Sequence, residues 1–286
     1  MSYSKAPLTC LLAGLVLACV ACEPEAQLSE QSAAKQSDEI LPLLRLKLPP
    51  LLQEVSGLST TPEGNILAVG DEQAVIFEID LASTEVVKRT GLGQSTLLGD
   101  FEGIEQVGNE VFLVDSDGDL LSYDVLESTE VKRVETKVGK RCEVEGLGYD
   151  PVEDLLYLLC KQRRSKKLPK HKISLFAFSL ADRRLQDSAN LLLDGPAAAA
   201  ELGIKKLSPS ALAFSPSGEQ LTVIAAKQNA VATFTRDGQL IRAEHLPEAG
   251  KHQQVEGLAI MTDGRWVLAD EGGAGAGKLS VYAHEL

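Results

Sequence analysis

One short pattern recurs five times along the 286-residue chain, and it limits what the chain can fold into. It reads Glu54-Val55-Ser56-Gly57-Leu58, Asp100-Phe101-Glu102-Gly103-Ile104 and Glu143-Val144-Glu145-Gly146-Leu147. It then returns as Ser208-Pro209-Ser210-Ala211-Leu212 and Gln254-Val255-Glu256-Gly257-Leu258. The third positions lie 46, 43, 65 and 46 residues apart. A unit that returns every ~40–50 residues has the length of one four-stranded propeller blade. Three intervals fit that length, and the 65-residue interval carries an insertion.

The same layout of turn, apolar strand, turn, apolar strand follows each motif. The expected second and third strands are 66–69 and 75–80, 111–114 and 120–124, 155–160 and 173–180, 221–225 and 230–234, and 266–269 and 279–283. Short apolar runs bounded by Gly, Pro, Asn and Asp are the signature of an all-β chain. The last block ends one strand short, while Leu41 to Leu48 precedes the first motif and belongs to no blade. That segment can supply the missing strand and close the ring, which removes an unpaired sheet edge. The expected fold is therefore an all-β, five-bladed β-propeller over 40–286, its ring closed by an N-terminal strand.

The N-terminal residues set the compartment. Lys5 precedes an apolar run from Leu8 to Ala21, long enough for a signal-peptide core and too short to span a bilayer comfortably. It ends in Val16-Leu17-Ala18-Cys19-Val20-Ala21-Cys22, which resembles a bacterial lipobox. Cys22, with Ala21 before it and a polar segment after it, is preferred as the lipidated residue, and Cys19 is the alternative. Residues 1–22 read as a lipoprotein signal peptide. Residues 23–39 lack large apolar side chains almost entirely and read as a flexible tether. The expected location is a bacterial envelope, with the propeller in the periplasm or at the cell surface and lipid as the membrane partner. Alternatively, the leader is an ordinary cleaved signal and its cysteines are incidental. With 28 basic against 41 acidic residues the net charge is −13, a surface that repels a phosphate backbone, so nucleic acid is excluded as a partner. Only Cys142 and Cys160 remain in the body, where an exported compartment permits a disulfide; the register expected around Pro151 makes them diagonal neighbours.

The repeats Val-Ser-Gly-Leu, Phe-Glu-Gly-Ile-Glu, Val-Glu-Gly-Leu and Val-Glu-Gly-Leu-Ala, at this spacing behind an export signal, resemble the SdiA-regulated (YjiK-like) family over about residues 41 to 285. The resemblance implies a five-bladed propeller, distantly similar to NHL-repeat propellers, with a bound calcium ion and no established activity.

In a propeller the first strand of each blade lines the central channel. Ser56, Glu102, Glu145, Ser210 and Glu256 then share one axis, backed by Glu54, Asp100, Glu143, Ser208 and Gln254 two residues earlier. Carboxylates brought together need a cation or solvent to offset their repulsion, and an all-oxygen set in a loose arrangement suits calcium. The family pattern also implies acidic residues at the ends of the second strands, where Asp71 and Asp270 stand; Lys161 and Lys227 depart from it. Glu102, Glu145, Glu256, Asp71 and Asp270 are thus the candidate metal residues. The competing expectation is a wet, polar channel without metal. Asp115 to Asp119 looks like the start of a calcium loop, but its glycine is fourth, so a hairpin turn is expected. Gly272 to Lys278 has phosphate-loop spacing up to the lysine but joins two strands, so a plain loop is expected. The run from Lys161 to Lys172 holds seven lysines and arginines and should emerge beside the Ala-rich insertion Pro196 to Lys206, either as a solvated loop or as a site for an anionic group. The functional expectation is a calcium-binding propeller acting as a binding or scaffold module, whose further partner is an anionic small molecule or an envelope protein. The alternative is a metal-dependent hydrolase of a phosphoester, ester or lactone, with Asp71, Asp117 or Asp270 beside an open metal position. No nucleophile motif is present.

Overall fold

The structure, a computed structural model, describes residues 40–126, 130–247 and 251–286. The expected signal peptide, with Cys19 and Cys22, and the expected tether lie outside the described residues. From Ile40 onward the described residues pack as one unit of five antiparallel sheets.

Each sheet starts on one of the five motifs and runs outward. The first blade orders Val55–Thr60, Ile66–Gly70, Val75–Asp80 and Glu85–Gly91. The second orders Phe101–Val107, Glu110–Asp115, Leu120–Asp124 and Val131–Val134. In the third, Cys142–Asp150, Leu155–Arg163 and Ile173–Ser179 are followed by two short pieces, Arg184–Leu185 and Leu191–Leu193, both paired with Ile173–Ser179. The fourth runs Ala211–Phe214, Gln220–Ala225, Ala230–Thr235 and Leu240–His245. The fifth places Val255–Ile260, Trp266–Asp270 and Lys278–Tyr282 in order, with Leu44–Lys47 outermost. That last pairing is antiparallel, from Leu44 opposite Val281 to Lys47 opposite Lys278, so the N-terminal strand closes the ring as expected.

Burial follows position in the blade. Ile66–Gly70 and Ile173–Ser179 are buried along their whole length, whereas the outer strand Glu85–Gly91 is nearly all exposed. A strand covered on both faces reads as a continuous apolar run, and an edge strand carries charge. The core is divided among blade interfaces. Leu67, Val69, Ile104 and Leu113 join the first blade to the second, and Phe112, Val114, Leu147 and Leu156 join the second to the third. Tyr157, Leu159, Leu212 and Leu221 continue into the fourth, and Ile224, Val231, Leu258 and Trp266 into the fifth. Ile66, Phe77, Leu279 and Val281 join the fifth back to the first. Each fully buried Leu, Ile or Phe contributes about 1.5–3 kcal/mol, so the ring is held mainly by apolar contact between neighbouring blades.

Backbone approach near the axis depends on the motif glycine. A Cβ on Gly103 would lie 2.6 Å from the Leu147 backbone nitrogen, and one on Gly57 would lie 2.9 Å from Gly103 Cα. Only a residue without a side chain lets consecutive inner strands come so close.

The insertion between the third and fourth motifs forms Leu191–Leu193 and a helix, Gly195–Glu201, whose N-cap Asp194 accepts a hydrogen bond from the Ala197 amide. Pro196 sits in its first turn, where its missing N–H leaves nothing unpaired. Cys142 and Cys160 are buried free thiols. Cys142 pairs with Arg163 while Cys160 pairs with Val144, so the two are diagonal and unbridged, and the Cys142 thiol donates to the Glu143 carbonyl at 3.4 Å.

Candidate functional site

The third motif position leaves the β-ladder in most blades. Pairing shifts register between Val55 and Gly57, between Phe101 and Gly103, between Val144 and Leu147, and between Val255 and Gly257. Each shift is a β-bulge, which leaves an extra residue unpaired and re-aims its side chain. Ser56, Glu102 and Glu256 are such residues, and Glu145 lies in the longer irregular stretch. The fourth blade is different, because its inner strand begins at Ala211, past Ser210. The simple two-residue alternation read from the sequence does not hold here, since a bulge has no signal beyond the glycine that follows it.

Ser56, Glu102 and Glu256 line one small cavity with Gly57, Gly103 and Gly146, with a volume of about 10 Å³. That is room for roughly one water-sized group. Ser56 Oγ is buried and has no hydrogen-bond partner. The other motif hydroxyl is engaged: Ser210 Oγ donates to the Val255 carbonyl at 2.8 Å and accepts from the Ala226 amide at 3.1 Å.

The carboxylates around this point form one electrostatic group. Burial, then Glu145 and Asp100, push Glu102 up to about 9. Burial raises Glu256 to about 7, with Glu145 and Glu271 adding to the rise and Lys161 opposing it. Burial also raises Glu145, against the pull of Lys161 and with the help of Glu143 and Asp100. The backing residues two positions earlier thus act on the ring as charges.

Lys161 was the departure from the acidic pattern, and it explains why three glutamates tolerate one another. Its ammonium donates to Glu145 Oε1 at 2.6 Å, and Glu256 and Glu102 add to the field that keeps it charged despite its partial burial. A lysine at the end of the second strand returns to the channel mouth, so the chain brings its own cation to the carboxylates.

The remaining candidates separate. Asp71 is half-buried, and burial followed by Glu54 raises it. It shares with Glu54, Glu72 and Gln53 an acidic recess of about 170 Å³ on the first blade. Asp270 is committed elsewhere. It is 2% exposed, its Oδ1 accepts from the Gln253 amide at 2.9 Å, and its Oδ2 accepts from His252 Nδ1 at 2.7 Å. The other ring nitrogen of His252 accepts from the Tyr282 hydroxyl at 2.6 Å. Asp117 pairs with Arg164 at 2.8 Å. Two of the three carboxylates that could serve a hydrolase as base are therefore held by cations or hydrogen bonds.

One residue that the sequence reading did not single out ties three blades together. Glu105, on the second inner strand, accepts from the Ser59 hydroxyl at 2.8 Å in the first blade and from the Tyr149 amide at 3.2 Å in the third. Burial raises it to about 7, the Ser59 hydroxyl and the Tyr149 and Gln106 amides opposing. The sequence signal was present as the final glutamate of Phe-Glu-Gly-Ile-Glu, the only motif that carries one at that place. The two doubtful motifs resolve as turns. Asp115 to Asp119 closes a hairpin through the Gly118 amide to the Asp115 carbonyl at 2.7 Å, and Gly272 to Lys278 links two strands, anchored by the Gly272 amide on the Gln53 carbonyl at 2.7 Å.

Donor type fits a hard cation, since Ser56 Oγ and the Glu102 and Glu256 carboxylates are all oxygen ligands around a space of the right scale. The carboxylates are not drawn together: among the described residues no three Asp, Glu, His or Cys side chains converge as a metal cluster. No curated protein matches the chain. The SdiA-regulated family model matches residues 196–283, from the inserted helix through the fourth blade to the end of the fifth, and so carries the resemblance read from the repeats onto this part of the propeller.

Proposed function

We propose that this propeller is a binding module that takes a calcium ion at the channel mouth through Ser56, Glu102 and Glu256, while Lys161 holds Glu145. The observation that carries this reading is the unpartnered, buried Ser56 Oγ beside two bulged glutamates. A buried hydroxyl without a partner costs about 1–3 kcal/mol, and burial first, then neighbouring carboxylates, disfavours the ionised forms of Glu102 and Glu256. A divalent ion would supply both the missing contact and a charge that favours the ionised carboxylates. Ser210 has its own partners and Asp270 is bound to His252, so neither belongs to this set. Binding is favoured over hydrolysis because Asp117 and Asp270 are engaged.

The test is thermal unfolding with calcium or chelator, joined to calorimetric titration of the wild type, Glu102→Gln, Glu256→Gln and Ser56→Ala. At free calcium about 100 times the dissociation constant, linkage adds about 2.7 kcal/mol to stability, and each substitution should reduce that gain. Equal melting temperatures and no binding heat in the wild type would reject the site and leave Lys161 as the channel's counter-ion. The same reading places the propeller at a bacterial envelope through lipid on Cys22 or Cys19. Mass spectrometry of the native N-terminus checks this, and a terminus without diacylglycerol refutes it.

A further inference from the structure

We propose that the groove between the basic loop and the helical insertion of the third blade binds a small organic anion, a carboxylate or phosphate headgroup on a short apolar body. This goes beyond the cation reading and does not depend on it. The groove encloses about 580 Å³, within the ~300–1,000 Å³ of small-molecule sites. Lys161, Arg163, Lys170, Lys172, Lys205 and Lys206 line it, and its lining contains no Asp or Glu, although acidic residues outnumber basic ones 41 to 28 in the chain.

Three of these cations are already engaged. Lys161 is bound to Glu145, Lys172 pairs with Asp194 at 3.0 Å, and Arg163 Nη1 donates to the Leu168 carbonyl at 3.2 Å. Lys170, Lys205 and Lys206 have no hydrogen-bond or ion-pair partner among the described residues. They come from two segments of the third blade, the loop 161–172 and the insertion 196–206, and the fold brings them to one concavity. Like charges gathered in this way repel, and an anion among them removes the repulsion. Lysine suits either headgroup, because its ammonium is a point charge on a flexible stem.

The lining also holds the apolar side chains of Ile173, Ala199, Ile204 and Leu207. Bare inorganic anions gain nothing from such groups, whereas a short hydrocarbon or aromatic body buries against them. A long polyanion is disfavoured, since the groove shares Lys161 with the carboxylates Glu145, Glu256 and Glu102 of the channel.

The experiment uses the full chain purified in detergent, with chelator present so that the result is independent of calcium. Inorganic phosphate, phenyl phosphate, hexanoate and phosphatidylglycerol vesicles are titrated separately by calorimetry. Phenyl phosphate or hexanoate should bind, more tightly than inorganic phosphate. The double substitution Lys205→Glu with Lys206→Glu should weaken binding by about tenfold or more, with an unchanged melting temperature. Lys132→Glu, exposed on the outer edge of the second blade, should leave binding unchanged. The proposal is overturned if no soluble probe binds, if the double substitution binds as well as the wild type, or if inorganic phosphate binds as tightly as the organic probes. Binding confined to the vesicles would assign the basic face to lipid headgroups and would also overturn it.

Discussion

Replacing Glu105 with glutamine isolates the pH dependence of one buried carboxyl. The folded state holds this group at about 7 against an ordinary 4.5, so between those values the folded protein binds a proton that the unfolded chain releases. Stability therefore falls as pH rises through this window and is not recovered above it. A shift of this size corresponds to about 3 kcal/mol at 1.36 kcal/mol per pH unit. Glutamine is neutral throughout and keeps an oxygen that can accept from the Tyr149 amide, with a hydrogen-bonding group left facing Ser59. The variant should exceed the wild type by less than about 1 kcal/mol near pH 5 and by up to about 3 kcal/mol near pH 8. For a domain of this size that is a gain of about 6–12 °C in melting temperature. The assay is urea unfolding of both proteins at the two pH values, with chelator present. The other titrating carboxylates are common to both proteins and cancel in the comparison. A stability difference that is the same at pH 5 and pH 8 would refute the argument.

Three further outcomes follow from the geometry. Gly103→Ala should destabilise by about 1–3 kcal/mol, because its Cβ would lie 2.6 Å from backbone; Gly108→Ala, with open space but positive φ, should cost only about 1 kcal/mol, and denaturant midpoints decide between them. Lys161→Met leaves Glu145 buried without its 2.6 Å partner; the lysine is about a third exposed, so the loss is about 1–2 kcal/mol, and Glu145→Gln in the same chain should restore most of it in a double-mutant cycle. His252→Phe strips a hydrogen bond from buried Asp270 and from Tyr282, which also bonds Arg45 of the closing strand; the expected loss is about 3 kcal/mol, with protease nicking near residue 44 as the sign of an opened ring.

The sequence by itself determined the ring. A motif returning at blade length set the number of blades, and apolar runs between turn residues placed the strands close to their observed limits. Leu41 to Leu48 was legible as the closing strand because no blade claimed it and the fifth lacked an outer edge. These features are local or periodic, and hydrophobic burial acts on them in the same way in every blade. The glutamates at the third motif position were legible for the same reason. What each carboxylate touches was decided only by the tertiary structure. The bulges that free Ser56, Glu102 and Glu256 from the ladder depend on how adjacent inner strands crowd at Gly57 and Gly103. Asp270 pairs with Val255 where the first blade has Gly70, and it meets His252 from its own blade's loop; Asp71, one residue further along, matches Glu271 and meets more acid. Lys161 looked like a break in an acidic ring and is instead the ring's internal cation. Side-chain partners come from segments distant along the chain, and which charge faces which is set by loop path and desolvation, quantities that no repeat encodes.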